Sequence, residues 1–221
     1  NHHMSLLNLA SDGLPNVLLV LYGAVARART PPSAEELLDT VAPSGVVAGD
    51  SSMARQTLNR WTELDLFKTE GADSGITLTQ VPAAGVKDDA ALVQSVRVAA
   101  RGCALAEQNN PDLWARQAAK AADLTRSLAW LMAQDIYRFT FADVESLESA
   151  QVADPDVRLM QNDTRINGMK YWGYFMGFLR QPGGGDIDPT IAVREAVPAC
   201  LQAGEELPAA DFIERLAMQL P

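Results

Sequence analysis

Side chains able to do chemistry are few in this chain and poorly spaced for it. Its two histidines, His2 and His3, stand directly before Met4. Asn1-His2-His3 reads as the remnant of a purification tag, with Met4 as the natural start. The chain that follows has no histidine, which removes the commonest general base and the commonest metal ligand together. Ser–His–Asp triads, Cys–His dyads and His-based zinc sites go with it. Cys103 and Cys200 are isolated in Ala-rich surroundings and read as small buried apolar residues, not as a disulfide framework or metal site. Gly183-Gly184-Gly185-Asp186 lacks the Lys-Ser/Thr ending of a phosphate loop and follows no strand. Asp154, Asp156, Asp163, Asp186 and Asp188 make no calcium-loop repeat. A carboxylate-pair nuclease, whose members would meet only in space, stays as a third reading. The expectation is therefore no catalytic residue, no cofactor, no metal, and a protein that is not an enzyme.

What remains is a macromolecular contact surface. The stretch SSMARQTLNRWTELDLF places Met53, Thr57, Leu58, Trp61 and Leu64 on one helical face. The opposite face carries Ser52, Arg55, Gln56, Asn59 and Arg60. Guanidinium and amide side chains are the ones that read base edges or hold phosphates, so these five, with Lys68 just beyond, are the candidate DNA-binding residues.

Elements around this stretch must hold it in place. Residues 12–29 read as a first helix, capped by Ser11 or Asp12, with Pro15 in its first turn. Ser33-Ala34-Glu35-Glu36 is a capping box that opens a short helix from Ala34 to about Val41. A third helix, capped by Asp50 or Ser51, runs to about Leu66. Phe67-Lys68-Thr69-Glu70 and Ile76-Thr77-Leu78-Thr79 flank a Gly/Asp turn and read as a hairpin. Three helices followed by two strands is the order of a winged helix-turn-helix. Winged helices often place Gly in the turn after the third helix, where Leu64-Asp65-Leu66 stands here. A left-handed backbone favours Gly there, although Asp tolerates it better than most residues.

Beyond a linker at Val81–Gly85 the chain is helical. Segments from Asp88 to Gln108 and from Pro111 to about Phe139 read as long amphipathic helices joined at Asn109-Asn110. The acidic run Asp143–Glu148 reads as a solvated face. A helix from Asp163 to about Leu179 carries Tyr171, Trp172, Tyr174, Phe175 and Phe178, read as core, with a partner-binding patch as the alternative. Two further helices open at Asp188-Pro189 and near Pro208; together they could form a second, wingless helix-turn-helix. The expected architecture is mainly α: residues 1–4 as tag and start, a winged-helix domain over 5–82, and a helical domain over 83–221.

Charge and hydropathy narrow the partners. The chain carries a net −10, and five basic against nine acidic side chains leave residues 1–82 at −4. Bulk attraction to nucleic acid is therefore absent, and any DNA contact must be local. No apolar run reaches the ~18–20 residues of a membrane span, and no leader pattern follows Met4, so no membrane contact and a cytoplasmic location are expected. Homodimerisation, common among winged helices, is left open.

The blocks SLLNLASDGLPNVLLVLYGAV, ARQTLNRWTELDLF, DPTIAVREAVPACL and ELPAADFIERLAMQLP resemble the DpdG family, over most of the chain. That family belongs to bacterial gene clusters that place 7-deazaguanine derivatives in DNA and restrict unmodified DNA. The resemblance implies a bacterial, cytoplasmic, defence-associated accessory protein whose partners are other defence-system proteins, and it brings no catalytic residues. The residues and the resemblance together lead us to expect a non-catalytic winged-helix accessory protein that contacts DNA through its third helix. The alternative is a protein–protein scaffold without DNA contact.

Overall fold

The computed structural model describes residues 6–8, 13–43, 52–71, 74–82, 86, 88–111, 113, 120–180 and 186–221. It is mainly helical with one small antiparallel sheet. Helices α1 (Pro15–Arg27), α2 (Ala34–Val41) and α3 (Ser52–Glu63) precede strands β1 (Phe67–Glu70) and β2 (Gly75–Leu78). Then come α4 (Asp89–Leu105), α5 (Ala122–Met132), α6 (Val144–Gln151), α7 (Asp163–Phe175), α8 (Thr190–Cys200) and α9 (Ala209–Gln219).

Local sequence explains most of the boundaries. The α2 capping box forms as expected: the Ser33 hydroxyl accepts from the Glu36 N–H at 3.2 Å, and the Glu36 carboxylate accepts from the Ser33 N–H at 2.8 Å. α1 begins later than expected, at Pro15, with Leu14 as an N-cap that offers no side chain. The expected caps Ser11, Asp12, Asp50 and Ser51 lie outside the described residues. α3 stops at Glu63, short of Leu66, because Asp65 takes φ +65°. The Asp65 N–H then bonds Thr62 O and the Leu66 N–H bonds Trp61 O, the paired closing bonds of a Schellman motif. Gly177, at φ +85°, does the same for α7: its N–H bonds Tyr174 O while Phe178 N–H bonds Gly173 O, which ends that helix at Phe175 and not at Leu179.

The helix expected from Pro111 to Phe139 is a correction. Only Ala122–Met132 is helical among its described residues. At its start the N–H groups of Lys120 and Ala121 both donate to Asn109 O, folding the chain back onto the preceding turn. At its end Asp135 O collects the N–H groups of Arg138 and Phe139 in a turn. Trp114 and Ala118 lie outside the described residues.

The hairpin pairs Phe67 with Leu78, Lys68 with Thr77, Thr69 with Ile76 and Glu70 with Gly75. Phe67 and Leu78 turn inward and are buried, while Lys68 faces solvent. Ile76 N–H donates to Pro32 O at 2.7 Å, so the segment before α2 covers the outer edge of β2.

A continuous apolar core runs from α1, α3 and the hairpin into α4, α5 and α7. At its centre Trp61 of α3 meets Trp172 of α7, ring centroids 5.2 Å apart and tilted by 45°. Two polar devices reinforce the joint. Buried Asp123 at the start of α5 accepts the N–H groups of Leu6 and Leu7 at 3.2 and 3.3 Å and meets Arg165 of α7 at 3.3 Å. Leu6 and Leu7 are fully buried, and a methyl at Gly168 would collide with the Leu7 carbonyl, so α7 needs glycine where this segment crosses it. In the second device, Glu195 of α8 takes Arg97 of α4 at 2.6 Å and Arg101 at 3.1 Å, and Arg101 also donates to Met176 O at 2.8 Å. Glu148, expected on a solvated face, is a further correction. It is buried, and its carboxylate accepts the N–H groups of Leu159 and Met160. Two inward-facing amides outweigh the acidic character of its neighbours in sequence.

Candidate nucleic-acid interface

Helix α3 is fixed by what lies beneath it. Ala54, Thr57, Leu58 and Trp61 are buried, with Leu64 continuing the same face past the helix end. The Thr57 hydroxyl satisfies itself on Met53 O at 2.7 Å, so a polar residue sits on the inner face without a loose donor. The helix's C-terminal carbonyls are taken by side chains from the distant part of the chain. Lys120 Nζ donates to Glu63 O at 2.9 Å, and Asn109 Nδ2 donates to Leu64 O at 3.0 Å and to Cys103 O at 2.8 Å. A lysine at this end also suits the helix dipole. Sequence reasoning assigned no role to Lys120. Asn109 and Asn110, read as the turn between two helices, are both buried, and each binds two or more backbone carbonyls or side chains.

The six candidate residues divide into two groups. Arg55, Gln56 and Asn59 are exposed on one stripe of α3, pointing away from the core. Arg60 is drawn in: its side chain is only 12% exposed and its guanidinium meets Glu63 at 3.2 Å. Lys68 is half-exposed on β1 and paired with Glu70 at 2.5 Å. Ser52, in the first turn of α3, is half-buried.

The helix packed beside α3 is acidic on its exposed side. α2 packs against α3 and exposes Glu35, Glu36 and Asp39. The Ser33 N–H, and then the Ser33 hydroxyl, hold the Glu36 carboxyl below its usual range, so this charge persists in mild acid.

The other groups singled out from the sequence have structural employment. Asp154 accepts the Asp156 N–H in a short turn and Asp186 pairs with Arg180. Asp188 stands one residue before the N-cap of α8, which is Pro189, and accepts the Thr190 N–H. Asp163 lies exposed in the first turn of α7, and Gly183–Gly185 lie outside the described residues. Among the described residues, no three His, Cys, Asp or Glu side chains lie close enough together to hold a metal ion. Both cysteines are free thiols; Cys200 is buried, and Cys103 is half-buried beside a cavity of about 240 Å³. Burial, and then the nearby Asp65 carboxylate, push the Cys103 thiol up to about 12, which makes it a poor nucleophile at neutral pH. On α7 Trp172 is buried as core, as is Phe178 just past the helix end, while Tyr171 and Tyr174 stay exposed. Among the described residues no helix is long and apolar enough to cross a membrane.

Comparison with known proteins gives one clear relation. No curated protein and no solved structure matches the chain. A family model described as DpdG-like matches residues 4–221, nearly the whole length, and by that match the chain belongs to the DpdG-like family.

Proposed function

We propose that this protein is a non-catalytic, winged-helix accessory component of a bacterial 7-deazaguanine DNA-modification and defence system, touching duplex DNA through α3. Family membership supports the association with that system. The reading takes α1–α3 as the helical core, α3 as the recognition helix and β1–β2 as the wing. The observation that carries it is the exposed stripe of Arg55, Gln56 and Asn59, presented rigidly by a helix whose other face is anchored on Trp61. Arginine bidentate to guanine and amides bidentate to adenine are the usual base-edge contacts from such a helix in the major groove.

Arg60 and Lys68 are already engaged by Glu63 and Glu70. Phosphate neutralisation therefore falls to few cations, and the contact is local and weak by itself. That suits an accessory role in which partner proteins supply the remaining affinity, in the cytoplasm where the DNA lies. The test is fluorescence anisotropy or gel-shift of the purified protein on modified and unmodified duplexes over a salt series. Arg55→Ala is expected to weaken binding by ~1–3 kcal/mol and Arg60→Ala by much less. The slope of log affinity against log salt should be shallow, roughly −1 to −2. Equal binding by Arg55→Ala and wild type would remove α3 from the interface.

A second reading, an interaction scaffold without DNA contact, is favoured by one observation. Glu35, Glu36 and Asp39 stand exposed on the helix next to α3, where they repel phosphates. It predicts no duplex binding at physiological salt, with co-purification of proteins encoded in the same cluster.

A further inference from the structure

Among the described α-helices, α9 alone has no buried residue. It lies against α8, and Leu220 just beyond its end packs onto the core. Phe212 and Leu216, half-buried, form the line on which it sits. Arg215 ties it down, donating to Cys200 O at 3.0 Å and Glu205 at 2.9 Å. With ~100° between successive residues, the next line along the helix is Ala210, Ile213 and Ala217, and the one after it is Asp211, Glu214 and Met218. Both lines are exposed; Ile213 is 59% and Met218 71% accessible. An apolar stripe thus stands open with carboxylates along its outer side.

Charge selects what fits there. Arg215, the one basic residue in 201–221, is taken by Glu205. Glu206, Asp211 and Glu214 are exposed and meet no cation among the described residues. Duplex DNA and anionic lipid carry the same sign as this rim. A second copy laid antiparallel on the face by a two-fold axis would set the acidic edge of Asp211 and Glu214 against the same acidic edge, on chains that each carry −10. We infer that the α9 face is a docking site for an amphipathic helix of a different polypeptide, one whose apolar stripe is flanked by lysine or arginine. The apolar line takes the partner's stripe, and the carboxylates take its flanking cations. This surface is separate from α3, and the inference stands whether or not α3 touches DNA.

The test uses the full chain and a fluorescein-labelled synthetic peptide of Leu and Lys, patterned as an amphipathic helix, read by anisotropy. Two control peptides accompany it: the same composition scrambled, and Glu in place of Lys. Saturable binding to the patterned Lys peptide is expected, with the scrambled peptide about tenfold weaker or worse and the Glu peptide inert. Ile213→Asp, and separately Asp211→Lys with Glu214→Lys, should each weaken binding about tenfold or more. The charge pair variant alters exposed side chains only, so it carries the test if Ile213→Asp loses its far-UV dichroism. Neither variant should weaken duplex binding, which separates this inference from the α3 reading. Equal affinity for patterned and scrambled peptides, or unchanged affinity in the variants, would overturn it. So would a dimer in sedimentation equilibrium that Ile213→Asp splits, which would assign the face to a second copy.

Discussion

Cys103 illustrates how placement decides what a side chain can do. Its thiol lies between α4 and the turn after α3, near Tyr22 and Asp65, and burial is the main cause that raises its pKa to about 12. Burial and the Cys103 charge likewise raise Tyr22. A group whose folded pKa lies above its unfolded value holds its proton more tightly in the folded chain. Its stabilisation is therefore whole below pH 9 and is lost as pH climbs from about 9 toward 12. Urea midpoints should fall over that range, and Cys103→Ala should flatten part of the fall, with Tyr22 accounting for the rest. At pH 8 the folded protein should react with iodoacetamide at least ~10-fold more slowly than the unfolded chain. The isolation of Cys103 in an Ala-rich stretch already argued for an inert thiol. The burial that drives the shift, and the added push of Asp65, 38 residues away in sequence, came only with the fold.

Helix ends show the same division at the scale of the element. The α2 capping box was legible because all its atoms come from four consecutive residues. The left-handed residue after α3 was legible for the same reason: Leu64-Asp65-Leu66 has its closing bonds within one turn. Asp65 bears a cost that glycine would not, so Asp65→Gly should raise stability by ~0.5 kcal/mol. Asp65→Val should lower it by ~1–2 kcal/mol, both read from urea denaturation. The helix expected over 111–139 failed because periodicity reports which face is apolar, not where a carbonyl such as Asn109 O will intercept the chain. On α3 the polar stripe was legible from 3.6-residue spacing. The withdrawal of Arg60 toward Glu63 was not, since an i,i+3 pair forms only if neighbouring elements leave room for it.

For the whole molecule, Trp61 and Trp172 matter most. They come from opposite ends of the chain and touch at the centre of one core. Trp61→Ala should cost ~3–5 kcal/mol. Because the core is continuous, far-UV and near-UV dichroism should lose signal together in a single urea transition. Two separated transitions, with the later one unmoved by the substitution, would show that the two halves fold apart.

The amino-acid sequence by itself determined the helical character, the order of three helices and a hairpin, the turns at Ser33 and Asp65, and the absence of histidine chemistry after Met4. Each of these depends on residue type or on atoms within a turn or two of one another. Tertiary structure decided the rest: which cations on and beside α3 remain available, that Glu148, Asp123 and Glu195 are buried acceptors, and that α9 keeps an open apolar face. Those outcomes depend on groups brought together from across the chain, and the partner that satisfies a buried charge or covers an apolar stripe leaves no mark on the spacing of its own residues.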